Sequence, residues 1–253
     1  MLGKLFRFVL LVTHEVRTHP HHLIPLMCII DPKKDIVVPT MFPFELKFPS
    51  TPWLGGRVEK DIVGIHLERA LAHLSEYSNG TRQALGKLVI ERKWWDKYKI
   101  YVGESADLPK AISDASYSEL LARSSFCFVM MGEGWSSRFE EAVAHLCVPV
   151  ILIEDTLMPF EPYIDARAFS IRVPVQSMER IPEILQEHLP NMPEYQESMS
   201  RVHSRYEWKY SRFKASERLP QTFRMSRLQP LLPGAPDAFD TLLAILHGRL
   251  DQT

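Results

Sequence analysis

Two runs in this chain, Ser125 to Met131 (SFCFVMM) and Val148 to Ile153 (VPVILI), are apolar at almost every position. A strand with one face in water alternates apolar and polar side chains, whereas a strand that is apolar throughout has to be covered on both faces. Such strands belong to parallel sheets sandwiched between helices. The surrounding sequence alternates in the same way. Asp61 to Leu67 reads as a strand. Thr81 to Arg92 reads as a helix with Ala84, Leu85, Leu88 and Val89 on one stripe, entered through an Asn79-Gly80 turn. Tyr98 to Val102 is a strand, Tyr117 to Arg123 a short helix, Ser137 to Leu146 a helix, Phe169 to Val173 a strand and Met178 to His188 a helix. The pattern predicts a doubly wound α/β domain over residues 57–190.

The flanks are less regular. Leu5 to Val12 suits a buried strand. With Lys4 and Arg7 nearby it also suits the remnant of a targeting segment, but no small-residue cleavage site follows. The apolar run Phe8 to Val12 is far short of the about 20 residues needed to cross a bilayer. His14, His19, His21 and His22 cluster without any i, i+4 pair and read as a solvated loop rather than a metal site. Asp35 to Pro39 is a short β-branched run closed by proline, and Met41 to Pro52 is a proline- and aromatic-rich linker. Beyond residue 190 the chain is helical. Tyr195 to Phe213 places Val202, Tyr206, Tyr210 and Phe213 on one face, and Asp237 to Leu250 forms a last helix with Asp237 as its cap.

Composition narrows the function. Thirty Lys and Arg against 31 Asp and Glu give a net charge of −1, so the chain as a whole is not built to coat nucleic acid or an anionic membrane. Arg201 to Arg227 is locally basic, which reads as the solvated face of an amphipathic helix. Three cysteines, Cys28, Cys127 and Cys147, lack zinc-ligand spacing and are too scattered for a disulfide framework; Cys127 and Cys147 read as small core residues.

The chemistry concentrates in Met131-Gly132-Glu133-Gly134-Trp135-Ser136-Ser137-Arg138, which leaves an apolar strand and opens a helix. In parallel α/β sheets, ligands sit beyond the carboxyl ends of the strands. A glycine-containing loop there offers backbone N–H groups to phosphate. Ser137 and Glu140 have the spacing of a capping box, with Ser137 as N-cap, which gives Glu140 a structural role. Arg138 and Glu141 then sit three apart on one side of the helix. The arginine suits a diphosphate, and the carboxylate suits a ribose diol. The rival reading is an ordinary surface ion pair. There is no P-loop motif.

These pieces resemble exostosin-family glycosyltransferases. Ser124-Ser125-Phe126-Cys127-Phe128 is similar to the family's S-x-F-C-L. Gly132, Gly134 and Arg138 match its G-x-G-x-x-x-R. Glu141-Ala142 and Cys147-Val148-Pro149-Val150-Ile151 match its EA and GC-I-P-V-I, with Leu146 in place of the glycine. Lys34 to Pro39, Tyr77 to Leu85 and Phe160 to Ile171 resemble further family segments in the same order, and Ile62-Val63-Gly64-Ile65 is a loose match to its F-F-x-G strand. The Gly-Trp-Ser loop is closest to plant- and algal-type members.

The resemblance implies a GT-B-like fold: a Rossmann-like nucleotide-sugar-binding domain at 57–190, a partial N-terminal acceptor-side segment and linker at 1–56, and a helical C-terminal tail at 191–253. It implies an inverting transfer from a nucleotide sugar, a UDP-sugar by family habit, to a polysaccharide or glycoprotein glycan, with no metal needed for the chemistry. Gly132, Gly134, Ser137, Arg138, Glu141 and Arg82 would form the donor site. Family members are Golgi proteins, and membrane attachment is expected only through an N-terminal anchor missing from this chain.

The alternatives are a non-catalytic or truncated relative that serves as a nucleotide-binding module or a glycosyltransferase complex partner, and an unrelated α/β binding domain. Leu146 without glycine costs about 1 kcal/mol if the helix exits through a left-handed residue. Arg57 and Arg82 suit the diphosphate or the acceptor, or are exposed arginines. Trp94-Trp95 suits a sugar platform or core packing, and Glu133, Glu154 and Asp155 are loop carboxylates near the donor side. No general base is assigned: His14, Glu15 and His66 are candidates that no spacing supports.

Overall fold

The computed structural model describes residues 36–40, 59–68, 77–132, 136–153, 156–208 and 235–250. At its centre is a five-stranded sheet with every pairing parallel: β1 (Ile62–Glu68), β2 (Ile100–Glu104), β3 (Ser124–Val129), β4 (Val148–Ile151) and β5 (Ile171–Arg172), in the order β2-β1-β3-β4-β5. The continuous apolar runs become β3 and β4, all of whose residues are buried. The helices are α1 (Thr81–Glu91), α2 (Trp94–Tyr98), α3 (Tyr117–Arg123), α4 (Arg138–Ala144), α5 (Ile181–His188), α6 (Met192–Val202) and α7 (Ala238–Leu250).

Strand periodicity divides the core in two. Ile100, Val102, Phe126, Phe128, Val148 and Val150 join Leu85 and Val89 of α1 and Ile181 and Leu185 of α5. Ile65, Leu67, Tyr101 and Cys127 join Leu120 and Leu121 of α3. Each large side chain buried in this way contributes about 1.5–3 kcal/mol. Gly64 marks where a helix comes down on the sheet. A Cβ there would lie 3.1 Å from the Phe128 ring and 3.4 Å from Leu185, so the strand accepts glycine at that point and little else.

Residues outside the sheet join the first core. Ile36, Val37 and Val38 are buried in it but form no strand; their backbone is tied down by Phe160 N–H donating to the Val37 carbonyl at 2.7 Å and Trp208 Nε1 donating to the Pro39 carbonyl at 3.0 Å. Met199, Tyr206 and Trp208 from the tail, and Ala238 and Ile245 from α7, pack into the same cluster. The Tyr206 ring sits 5.5 Å from Phe139 in an edge-to-face contact.

Asp237 caps α7 as expected. Its carboxylate accepts from Asp240 N–H at 2.9 Å, and Asp240 reciprocates at 3.2 Å. The long helix expected from Tyr195 to Phe213 is shorter. It ends as α6 at Val202, passes through a 3-10 turn at His203–Tyr206 and becomes extended at Glu207, because Tyr206 turns into the aromatic core. Tyr210 and Phe213 lie outside the described residues, as do the Leu5 to Val12 run, the histidine cluster and most of the basic segment.

Cys127 and Cys147 are buried core residues as read, but the expectation that the cysteines are too scattered to pair is corrected. Cys127 and Cys147 form a disulfide with Cα atoms 5.7 Å apart. The parallel register sets Cys127 opposite Pro149, two residues beyond Cys147, and that proximity is invisible along the chain.

Leu146 has the left-handed conformation anticipated for the glycine it replaces, with φ 51°. Leu146 N–H bonds the Val143 carbonyl and Cys147 N–H bonds the Ala142 carbonyl, the paired bonds of a Schellman exit. Lys60 Nζ holds this exit, donating to the carbonyls of Leu146 at 3.0 Å, His145 at 3.3 Å and Ser124 at 2.7 Å.

Candidate functional site

In this strand order the chain runs from β1 outward to β2, then crosses back to β3 on the other side of β1. The switch point lies at the carboxyl ends of β1 and β3, the place where open α/β sheets hold their ligands. Leu67, Met130, Met131 and Gly132 stand at these ends, and α4 begins just beyond. Gly134, with Glu133 and Trp135, lies outside the described residues, as do Arg57, Glu154 and Asp155.

Arg138 and Glu141 meet as their spacing predicts. Arg138 Nη1 donates to Glu141 Oε2 at 2.6 Å, and the side chains are 17% and 2% exposed. Arg138 also donates from Nη2 to the Leu67 carbonyl at 3.2 Å, which pins the guanidinium to the end of β1. This pair is therefore not a solvated surface contact.

Tyr117, the first residue of α3, completes the cluster. Its hydroxyl donates to Glu141 Oε2 at 2.5 Å and accepts from Arg138 Nη1, while the guanidinium carbon lies 4.9 Å from its ring centre. Sequence reasoning passed over Tyr117 because 24 residues separate it from Glu141; Ser116, whose Oγ accepts from Glu119 N–H at 3.2 Å, caps the helix and places Tyr117 at its start.

The capping box is corrected. Ser137 already has helical dihedrals, φ −69° and ψ 0°, and makes no cap bond. Its hydroxyl points along the helix and donates to Glu141 Oε1 at 3.0 Å. Ser136 Oγ instead accepts weakly from Arg138 N–H at 3.4 Å. Glu140 does not reach back to Ser137; its carboxylate accepts from Thr40 N–H at 2.9 Å and Thr40 Oγ1 at 3.3 Å. Burial pushes the Glu140 carboxyl up to about 7, against the pull of the Thr40 bonds. Because α4 has only seven residues, charge recognition here falls to the Arg138 side chain more than to the helix end.

Arg82 is buried, 6% exposed, contrary to the exposed alternative. It shares a helix face with Leu85 and Val89, at i, i+3 and i+7, which carries it inward, while Ala84 turns to solvent. Its Nε donates to the Met131 carbonyl at 2.8 Å and its Nη2 to the Met130 carbonyl at 3.2 Å. Arg82 thus grips the exit of β3 that delivers Gly132.

Behind the cluster, His145 Nδ1 lies 2.6 Å from the Glu141 carbonyl and Nε2 2.8 Å from Ser118 Oγ. A carbonyl only accepts, so Nδ1 carries the proton and Ser118 donates to Nε2. Burial lowers His145 to about 4. The neutral ring links α4 to α3 next to Tyr117. His66, a candidate base in the sequence, is buried with Nδ1 2.9 Å from the Phe128 carbonyl, where it joins β1 to β3. Trp94 is core. Among the described residues, no group of three or more His, Cys, Asp or Glu is placed to hold a metal ion, and no helix is long and apolar enough to cross a membrane.

The all-parallel five-stranded sheet with helices packed on it is a Rossmann-type, GT-B-like fold. Residues 33–188 match the exostosin GT47 domain, and the chain belongs to that family. Among named relatives, a "Probable glycosyltransferase" of Arabidopsis thaliana is 26% identical over 223 residues, 86% of this chain. An "Exostosin-1 homolog" of Caenorhabditis elegans is 40% identical over 70 residues, covering 27% of this chain and 18% of its own. A "Probable glucuronosyltransferase" of Oryza sativa subsp. japonica is 36% identical over 72 residues, covering 28% and 17%. The chain spans 38% of the Arabidopsis relative's length.

Proposed function

We propose that residues 57–190, with the 36–40 segment and the helical tail packed on them, bind the donor of a glycosyl transfer, a UDP-sugar, beyond the ends of β1 and β3. The reaction in this reading is an inverting transfer to a polysaccharide or glycoprotein glycan. The observation that carries it is the Arg138–Glu141 pair held at the topological switch point.

The chemistry follows from these side chains. A diphosphate leaving group gains negative charge as its bond to the sugar breaks. Arg138 is already fixed on the Leu67 carbonyl, so it meets that charge without reorganising. In this reading the charge is met by Arg138 and the Gly132 to Ser137 loop, with no metal required for the chemistry. Glu141 accepts the hydroxyls of the ribose. Arg82 positions the loop by holding Met130 and Met131. The Cys127–Cys147 disulfide supports residence in an oxidising compartment, in keeping with the Golgi lumen that the family suggests.

Ligand-observed NMR with a panel of UDP-sugars, led by UDP-glucuronic acid because two relatives are named for glucuronosyl transfer, tests the reading. UDP-sugars are expected to bind, and to lose binding in Arg138→Ala. Equal binding of GDP- and UDP-sugars without dependence on Arg138, or no binding at all, would sink it.

A further inference from the structure

Tyr117 does to Glu141 and Arg138 what a sugar hydroxyl would do. Its one hydroxyl donates to the carboxylate and accepts from the guanidinium. Among the described residues, Glu141 takes hydrogen bonds from Tyr117 and Arg138 on Oε2 and from Ser137 on Oε1. With the side chain 2% exposed, a ribose diol reaches this carboxylate only when one of them leaves. Ser137 and Arg138 share a helix with Glu141 and sit within one turn of it, so local backbone keeps them in place. Tyr117 comes from a different helix and is only half-buried, and rotation about its first side-chain bond carries the hydroxyl away. Of the three, Tyr117 is the one that can yield.

We propose that the Tyr117 hydroxyl is an internal competitor for the nucleotide's ribose: it occupies the hydrogen bonds on Glu141 that the diol takes over, and donor binding displaces it. This rests on Arg138 and Glu141 forming the donor site. Tyr117 acts through Glu141 and is a specificity-determining residue, not a catalytic one.

The sign of the effect separates this role from simple support. Tyr117→Phe keeps the ring under Arg138 and removes only the hydroxyl. The protein without nucleotide loses hydrogen bonds to two charged groups. The complex loses nothing, because there the hydroxyl has already left. Thermal stability therefore falls while nucleotide affinity rises. A residue that merely supports the site would lower both.

The test is calorimetric titration of wild type, Tyr117→Phe and Glu141→Ala with UDP and with 2′,3′-dideoxy-UDP, alongside thermal melts. The expected result is a lower Tm for Tyr117→Phe, UDP binding about fivefold to tenfold tighter than wild type, and no change for the dideoxy nucleotide, which has no diol to compete. UDP binding in Tyr117→Phe alone would also support the proposal. If wild type binds UDP and Glu141→Ala weakens it, but Tyr117→Phe is no tighter or gains equally for both nucleotides, the donor-site reading stands and the competitor role is overturned. If none of the three binds UDP, both fall together.

Discussion

Glu140 and Glu141 are consecutive in α4, yet their carboxylates serve opposite parts of the molecule. Glu140 reaches Thr40, 100 residues away in sequence, and Glu141 holds Arg138 at the head of its own helix. One anchors the segment that precedes the sheet domain; the other belongs to the candidate donor site. Consecutive helix residues point about 100° apart, which allows the division.

Burial of Glu140 makes stability pH-dependent. Burial raises its carboxyl from 4.5 to about 7, so the folded state binds the proton more tightly than the unfolded chain. Its contribution to stability is full below pH 4.5 and is lost as the pH rises through 7. Glu140→Gln removes this titration. The Tm of the variant minus that of wild type is expected to be greater at pH 8 than at pH 5 by roughly 4 °C or more. The opposing titration of His145 is common to both proteins and cancels. Equal differences at the two pH values would contradict the account.

The disulfide is predicted to be present in the native protein. Alkylation after denaturation without reductant should label one thiol, Cys28, and alkylation after reduction should label three. Replacing Cys127 and Cys147 by alanine should cost about 3 kcal/mol in chemical denaturation. Three labelled thiols without reductant would remove the cross-link.

Lys60 sits two residues before β1, at the opposite end of the sheet from Arg138, and its Nζ, whose pKa burial lowers to about 7, holds the left-handed exit at Leu146. Lys60→Ala leaves three carbonyls short of a donor and should cost about 2 kcal/mol or more. Nucleotide affinity should be unchanged. An affinity loss matching that of Arg138→Ala would show that the two ends of the sheet are coupled.

The sequence was legible where one physical rule dominates locally. Tyr117–Arg123 forms the helix expected of it, and β3 and β4 follow from apolar runs that only a two-sided burial explains. The left-handed residue at Leu146 was readable from the resemblance. Helix α2 was missed because five residues carry no period, and its ends are set by Lys93 and Lys99 in left-handed conformations at φ 54° and 56°. The Ser137–Glu140 spacing fits a capping box, but a distant pair of donors at Thr40 draws the glutamate elsewhere. Arg138 with Glu141 was visible as an i, i+3 pair; Tyr117, Ser118 and His145 were not, because their meeting depends on how α3 and α4 lie against each other. The pairing of Cys127 with Cys147 was hidden for the same reason, since it depends on strand register.

The most direct test of the central claim is UDP titration by calorimetry into wild type and Glu141→Ala, with melting curves to establish that both are folded. The account predicts saturable binding to wild type and a loss of about tenfold or more in Glu141→Ala, equivalent to removing one or more hydrogen bonds to a charged group. A folded wild type that does not bind UDP, or a folded variant that binds it equally well, would contradict the assignment of the donor site to Arg138 and Glu141.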